Sequence, residues 1–143
     1  MKKLLLILLL SCFSLQVNSK PLKFHGLDWS MEIGEMIEAL EEKGWRLTHI
    51  LNTHHHFDHA GGNLELKEQW GCTIVGSRND AKRIPGIDVQ VGDGDTYQFG
   101  DYEAQVFDVS GHTIGHIAFY FASEDVLFSG DALFSLGCGR LFE

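Results

Sequence analysis

The chain has 143 residues, a formal net charge of −9 and three cysteines. A typical domain holds roughly 100 to 200 residues, so this length excludes a second full domain. The acidic balance argues against nucleic acid as a partner, because surfaces that bind nucleic acid are rich in lysine and arginine.

Residues 1–19 have the order of a secretory signal peptide. Lys2 and Lys3 precede an apolar run at residues 4–10, and a more polar stretch ends at Ser19. This run is far shorter than the ~20 residues that cross a bilayer, so no stable membrane span is predicted. A second interpretation is a lipoprotein-like signal with Cys12 as the lipidated residue. We therefore expect a leader over 1–19, a domain over 20–143, and export from the cytoplasm.

Helix and strand patterns alternate in the first half of the domain. Residues 30–43 carry apolar side chains at three- and four-residue spacing with glutamates between them, which is typical of an amphipathic helix. A buried strand is predicted at 47–52, a helix at 63–70 that ends at Gly71, and another strand at 73–75.

Two hairpin-like pairs of strands follow in the second half. Residues 96–99 pair with 102–109 across one turn, and residues 117–121 pair with 126–129 across another. Helices first and paired strands afterwards predict a layered α/β domain, of the α+β kind, with its loops gathered at one edge of a sheet.

A dense cluster of potential metal ligands follows the strand at 47–52. Four histidines and one aspartate lie within residues 54–59. Imidazole nitrogens together with a carboxylate are ligands that zinc and similar metals prefer. The two ends of so short a cluster cannot easily converge on one ion, so the spacing predicts two adjacent ions. His55 would then turn away into a packing or supporting role.

Three further candidates lie downstream. His112 follows the strand at 102–109, and the neighbouring Gly111 lets the backbone approach a ligand cluster closely. Asp131 follows the last strand, where its carboxylate either bridges two ions or caps a turn. His116 opens a strand, which favours a packing or supporting role over a ligand role.

Together these motifs resemble the metallo-β-lactamase superfamily, and specifically its glyoxalase II branch, the hydroxyacylglutathione hydrolases. The shared motifs are Thr-His-x-His-x-Asp-His from residue 53, Gly-His-Thr-x-Gly-His from residue 111, Gly-Asp-x-Leu-Phe from residue 130 and Gly-Cys-Gly-Arg-Leu-Phe-Glu at 137–143. The resemblance covers residues 36–143.

The resemblance implies an αββα sandwich, incomplete at both ends, that holds two divalent metal ions, with zinc foremost and iron or manganese as alternatives. By this resemblance His54, His56 and His112 hold the first ion, Asp58 and His59 hold the second, and Asp131 bridges them. Arg140 matches a basic position that contacts glutathione in the family. Asp58 is also a candidate to orient the attacking hydroxide, although its ligand role alone would explain it.

The expected activity is hydrolysis of a glutathione thioester, such as S-lactoylglutathione, to a 2-hydroxy acid and glutathione, in methylglyoxal detoxification. A metal lowers the pKa of bound water to ~7, and a thiol of pKa ~8.5 leaves without a strong acid. Two alternatives stay open. One is a mono-iron enzyme like the persulfide dioxygenases, which resemble the chain in the histidine array and in Gly-Cys-Gly-Arg. The other is an inactive metal-binding fragment.

The sequence departs from the family pattern at both ends. The leader replaces the opening strands, so one sheet edge is expected to be missing, and the chain stops before a further metal-binding histidine and a helical region that grips glutathione. We therefore expect weak or absent binding of the second ion, and self-association through an exposed sheet edge. The family pattern also suggests a cytoplasmic or mitochondrial location as the alternative to export.

Four residues of interest stay outside these assignments. His25 and His49 precede the motifs and are expected in ordinary surface or strand roles. Cys72 and Cys138 could pair, bind metal or stay free.

Overall fold

The computed structural model describes the backbone of residues 2–6, 23–24, 27–28 and 33–143, and the side chains from residue 34 onward. Within these residues, no helix has both the length and the apolar character needed to cross a bilayer. The expectations for Cys12 and His25 lie outside the described residues.

A parallel sheet forms the first layer of strands. Its members, in spatial order, are β1 (Lys2–Leu6), β4 (Trp45–Leu51), β5 (Thr73–Ser77) and β6 (Val89–Val91). Two short strands, β2 (Lys23–Phe24) and β3 (Leu27–Asp28), pair with each other separately. The strand β1 lies inside the predicted leader and occupies the edge that was expected to be missing. This placement gives the leader interpretation no support, and it says nothing about export.

Two helices cover one face of this parallel sheet. They are α1 (Ile33–Glu42) and α3 (Asn63–Trp70), and a single-turn helix, α2 (Phe57–Ala60), lies between β4 and α3. Leu40 of α1 and Leu66 of α3 are fully buried against Leu47, Ile50 and other apolar side chains of the sheet. Burying each such side chain stabilises the fold by roughly 1.5–3 kcal/mol, so this helix–sheet interface is one of the two cores of the molecule.

An antiparallel sheet packs on the opposite face. Its strands, in spatial order, are β10 (Val126–Phe128), β9 (Ile117–Phe121), β8 (Tyr102–Asp108) and β7 (Thr96–Phe99). Leu51 and Val75 of the parallel sheet meet Val106 and Phe119 of the antiparallel sheet in the second core. The described layers are therefore helices, parallel sheet and antiparallel sheet, in agreement with the predicted layered α/β class.

Most of the predicted elements are confirmed. The helix at Asn63–Trp70 and the strands at Thr96–Phe99 and Ile117–Phe121 have the predicted bounds, and the remaining predicted strands differ by one or two residues at one or both ends. The predictions missed β6, which is only three residues long, and α2, which lies inside the histidine cluster. Cys72 lies in the helix–sheet core and Cys138 is exposed, and both are free thiols.

The outer strand β10 leaves Val126 and Leu127 exposed. Self-association through a sheet edge stays a prediction.

Candidate metal centre

Three chain segments bring the potential ligands together. The first histidine segment, residues 53–59, follows β4, and the second histidine segment, residues 110–116, follows β8. The third is the 3₁₀ turn Gly130–Ala132 after β10. The two cores fix the strands that precede these segments, so the ligands converge on one point although they lie far apart along the chain.

His54, His56 and His112 form the first set of ligands. Their ligating nitrogens lie close together: His54 Nε2 is 3.2 Å from His56 Nδ1, which in turn is 2.9 Å from His112 Nε2. His54 and His112 are buried, and His56 is half-buried. A cation can therefore contact three imidazoles here while remaining reachable from solvent on one side.

The hydrogen-bond partners of His112 fix which of its ring nitrogens is free. His112 Nδ1 lies 2.7 Å from the carbonyl oxygen of Arg140, and a carbonyl can only accept. The proton of the neutral ring is therefore on Nδ1, and the lone pair of Nε2 faces His56. This is how metal-binding histidines are usually oriented, by donating their second N–H to a fixed acceptor.

His54, His59 and Asp131 form a second set that shares His54 with the first. Asp131 Oδ1 is 3.1 Å from His59 Nε2, and its Oδ2 is 3.4 Å from His112 Nε2. Asp131 thus belongs to the second set and also approaches His112 of the first, and a bridging role for its carboxylate stays a prediction.

Buried polar atoms without hydrogen bonds provide the test of whether a metal fits. His59 Nε2 and Asp131 Oδ1 are both buried and neither makes a hydrogen bond in the described structure, although they lie close together. Leaving such atoms unpaired costs about 1–3 kcal/mol each. A cation between them would satisfy both, so the residues present fit a divalent metal.

The protonation states in the cluster also suit metal binding. Burial, and then the neighbouring histidines, lower the pKa of His54 far below its usual value, and burial likewise lowers the pKa of His56. The approach of His59 lowers the pKa of the Asp131 carboxyl. Neutral imidazoles and an ionised carboxylate are the forms that bind metals.

Asp58 lies at the edge of the cluster. Its side chain is 61% exposed, and its Oδ2 is 3.6 Å from His59 Nε2. Among the described residues it belongs to neither close-packed set of ligand atoms. The structure therefore brings Asp58 near the second set without burying it there, and a ligand role for Asp58 stays a prediction.

His116 contacts two of the potential ligands, His54 and Asp131. Its ring stacks on His54 with centroids 4.5 Å apart, and its Nε2 accepts a hydrogen bond from the backbone N–H of Asp131. Burial, followed by the nearby His112, lowers the pKa of His116 to about 4. With Nε2 already engaged, His116 stands in the supporting position that its sequence context favoured.

Two glycines make the close packing feasible. A Cβ on Gly130 would lie 2.5 Å from Thr53 Oγ1, and a Cβ on Gly139 would overlap the backbone oxygen of Asp131. Contacts under 3 Å essentially do not occur for real Cβ atoms. A larger residue at Gly130 would push the turn that carries Asp131 away from Thr53 and His116, and a larger residue at Gly139 would push residues 137–143 away from Asp131.

The closing segment, residues 137–143, lies over the first set. The Phe142 ring packs edge-on against His56 and His112, with centroids 5.6 and 5.2 Å away. The Arg140 guanidinium lies 4.3 Å from the centre of the Phe142 ring. Arg140, predicted to contact the substrate, therefore stands beside the ligands and is exposed.

The sequence analysis missed Asp80 and Arg83, which form an ion pair with each other. Asp80 also contacts His55, and Arg83 also contacts Glu143. His55 turns away from the ligands, as predicted, and its Nδ1 lies 2.8 Å from Asp80 Oδ2. The position of Asp80 in the sequence could have indicated its role. Asp80 follows the end of β5, and ligands of α/β sheets bind beyond the carboxyl ends of parallel strands.

The comparison with known families agrees with this geometry. The profile of the metallo-beta-lactamase superfamily matches residues 25–143. The chain belongs to the metallo-beta-lactamase superfamily. Members of this superfamily bind divalent metals. In the described part of this chain, the residues suited to bind a metal are those of the histidine cluster and Asp131.

Within the superfamily, eight similar curated relatives carry the same name. The chain is 59% identical over 110 residues to the hydroxyacylglutathione hydrolase of Methylococcus capsulatus, covering 77% of this chain and 43% of the relative. It is 56% identical over 108 residues to that of Rhodospirillum rubrum, covering 76% and 42%. The resemblance to the glyoxalase II branch is confirmed, and the chain spans less than half the length of these relatives.

Solved structures of the superfamily share the fold. ETHE1 from Myxococcus xanthus matches with a TM-score of 0.66 and 35% identity, covering 76% of this chain and 46% of that one. TTHA1623, solved in a di-iron-bound form, matches with a TM-score of 0.65 and 28% identity, covering 77% and 62%.

Proposed function

We propose that this chain carries the metal centre of a hydrolase of glutathione thioesters, of the S-2-hydroxyacylglutathione type. The observation that carries the proposal is the convergence of His54, His56 and His112 beside His59 and Asp131, with buried atoms left without hydrogen bonds. The name shared by the relatives at 51–59% identity supports the choice of substrate.

The residues would divide the work as follows. His54, His56 and His112 would hold one divalent ion, Asp58 and His59 would contribute to a second, and Asp131 would bridge them. Zinc is the first candidate, with iron or manganese as alternatives. When bound, the metal acidifies water to a pKa of ~7 and polarises the substrate carbonyl.

The other roles belong to residues around the ligands. Asp58, exposed beside His59, would accept a hydrogen bond from the attacking water and so orient it. Arg140, at the rim of the same site, would pair with a carboxylate of the glutathione moiety. The departing thiol has a pKa of ~8.5, so the thiolate leaves without a dedicated acid.

The test is thiol release from S-lactoylglutathione by the purified chain after loading with zinc, iron or manganese. We expect metal-dependent release, and we expect H56N to lose at least about 100-fold of it. The matched control is H49N, because His49 lies on β4 against the rings of Tyr97 and Phe99, away from the ligands. A metal-loaded chain that releases no thiol would refute the hydrolase and identify an inactive metal-binding piece.

A second candidate is a mono-iron persulfide dioxygenase-like enzyme. The first set of ligands is a complete three-histidine site on its own, and the fold matches ETHE1 at 35% identity. Oxygen consumption by the iron-loaded chain with glutathione persulfide, without thioester hydrolysis, would favour this candidate. Thioester hydrolysis without oxygen consumption would exclude it.

A further inference from the structure

Asp80 is a fully buried carboxylate outside the ligand sets. Its side chain has no solvent exposure. A buried carboxylate is costly unless charged or polar partners surround it, so its partners show what it holds in place. Those partners come from both histidine segments and from Arg83.

The first histidine segment contacts Asp80 through His55. His55 Nδ1 lies 2.8 Å from Asp80 Oδ2. His55 stands between His54 and His56, so fixing its ring also fixes the backbone from which both ligands project. This contact therefore acts on the first set without touching the ligand atoms.

The second histidine segment rests against the same carboxylate. A Cβ on Gly115 would overlap Asp80 Oδ1, so the Gly115 backbone passes directly over Asp80. Thr113 Oγ1 is 3.5 Å from Asp80 Oδ2. Thr113 follows His112 directly, so Asp80 supports the third ligand of the first set as well.

Arg83 extends the network to the closing segment. Its guanidinium donates to Asp80 Oδ1 at 2.5 Å, and to Glu143 at 2.5 and 3.0 Å. Glu143 in turn accepts a hydrogen bond from the backbone N–H of Ile114 at 2.8 Å. The hydrogen bonds from Arg83, and to a smaller extent the bond from the Ile114 backbone, lower the pKa of Glu143 to about 2. Arg83 thus links Asp80, the closing segment and the second histidine segment.

We infer that Asp80 and Arg83 are a positioning pair that fixes the two histidine segments relative to each other and so sets the affinity of the His54, His56 and His112 site for a divalent cation. The inference rests on the metal centre proposed above. It adds residues that contact no ligand atom of the first set and that act through His55, Gly115 and Glu143.

The test is cobalt(II) affinity of the folded chain, measured by competition with a chromophoric chelator, together with the absorption spectrum of the bound cobalt. We expect D80N to lower the affinity by about 10- to 100-fold, the range typical of residues that support metal ligands, and to change the spectrum. We expect R83M to lower it by about tenfold. R83M covers the case in which D80N does not fold, because the Arg83 side chain is 36% exposed.

R78M is the matched control. Arg78 also donates to a carboxylate, Asp95 at 2.6 Å, but its described partners belong to neither histidine segment. We expect its cobalt affinity to stay within twofold of the wild type. Wild-type affinity and spectrum in both D80N and R83M, even with a lower melting temperature, would overturn the positioning role alone. A wild-type chain that binds no cobalt would overturn the metal centre itself, and this inference with it.

Discussion

Asp131 belongs to the second ligand set and also approaches His112 of the first. Its two carboxylate oxygens lie 3.1 Å from His59 and 3.4 Å from His112. D131N keeps the size of the side chain and removes its charge, so we expect metal affinity to fall by at least about tenfold. Chelator competition measures this.

The control is D125N, because Asp125 lies in an exposed turn at φ 53°, a backbone conformation that asparagine tolerates. Equal affinities of D131N and the wild type would show that Asp131 does not bind the metal.

Gly130 combines a left-handed backbone with close contacts. Its φ is +50°, and a Cβ there would lie 2.5 Å from Thr53 Oγ1 and 2.8 Å from His116 Cε1. We expect G130A to lower the free energy of unfolding of the metal-free chain by about 2–4 kcal/mol, from backbone strain and overpacking together. Urea unfolding measures this.

Gly44 is the matched position, since its φ is +63° and a Cβ there would meet nothing within 4 Å. G44A should cost only the backbone term, about 1–2 kcal/mol. Equal losses in G44A and G130A would show that close packing at Gly130 contributes nothing.

At the scale of single residues, the sequence predicts the metal ligands better than the residues that hold those ligands in position. The histidine cluster is recognisable because five potential ligands within six positions are a strong local signal. Asp80 carries no comparable signal, because its burial and its contact with His55 arise from segments 25 residues apart. The burial of His59 away from solvent and the stacking of His116 on His54 likewise depend on how loops from different strands pack together.

At the scale of elements, Asp88 joins α3 to β5. It accepts hydrogen bonds from the backbone N–H of Ile74 and from the Lys67 ammonium. These two bonds lower the pKa of Asp88 below its ordinary value of 3.8, and the bond from Ile74 has the larger effect. A carboxyl with a lowered folded-state pKa contributes stability above its unfolded-state pKa and loses it as the pH falls through the folded-state value.

We therefore expect D88N to be less stable than the wild type by about 0.5–1 kcal/mol at pH 7, a modest value because the side chain is 38% exposed. The difference should shrink below about pH 4. Urea unfolding across this pH range measures it, with D101N in an exposed turn as the control. A difference that is constant from pH 7 to pH 3 would contradict this account.

Element boundaries were predictable where a local signal ends the element. Gly71, at φ 63°, ends α3 where the sequence indicated. By contrast, β4 begins at Trp45, and the register of its pairing with β1 shifts between the partners of Leu47 and His49. That shift lets Leu47 and Ile50 face the same core although strict alternation would place them on opposite faces. Sequence periodicity alone cannot reveal an irregularity that tertiary packing imposes.

At the scale of the whole molecule, the core between the two sheets positions the segments that carry the ligands. Phe119 is fully buried there. F119A removes a large buried ring, so we expect a loss of about 3–5 kcal/mol in the free energy of unfolding. F107A is the matched control on the neighbouring strand, because Phe107 is 43% exposed. Comparable losses in the two variants would show that the sheets do not pack as described.

The layered class was predictable from the order of helical and paired-strand patterns. The arrangement of the strands was not, because β1 pairs with β4, which lies far along the chain. Such pairings depend on contacts between distant residues, which local periodicity does not encode.

Metal content tests the central claim most directly. The purified chain would be saturated with zinc, dialysed against micromolar zinc and measured by elemental analysis against protein concentration. We predict one tightly held equivalent at His54, His56 and His112. A second would be weaker, because among the described residues only His59 and Asp131 add closely packed ligand atoms outside the first set. Two tightly held equivalents would contradict the predicted weakness of the second site, and a chain that retains no zinc would contradict the metal centre as a whole.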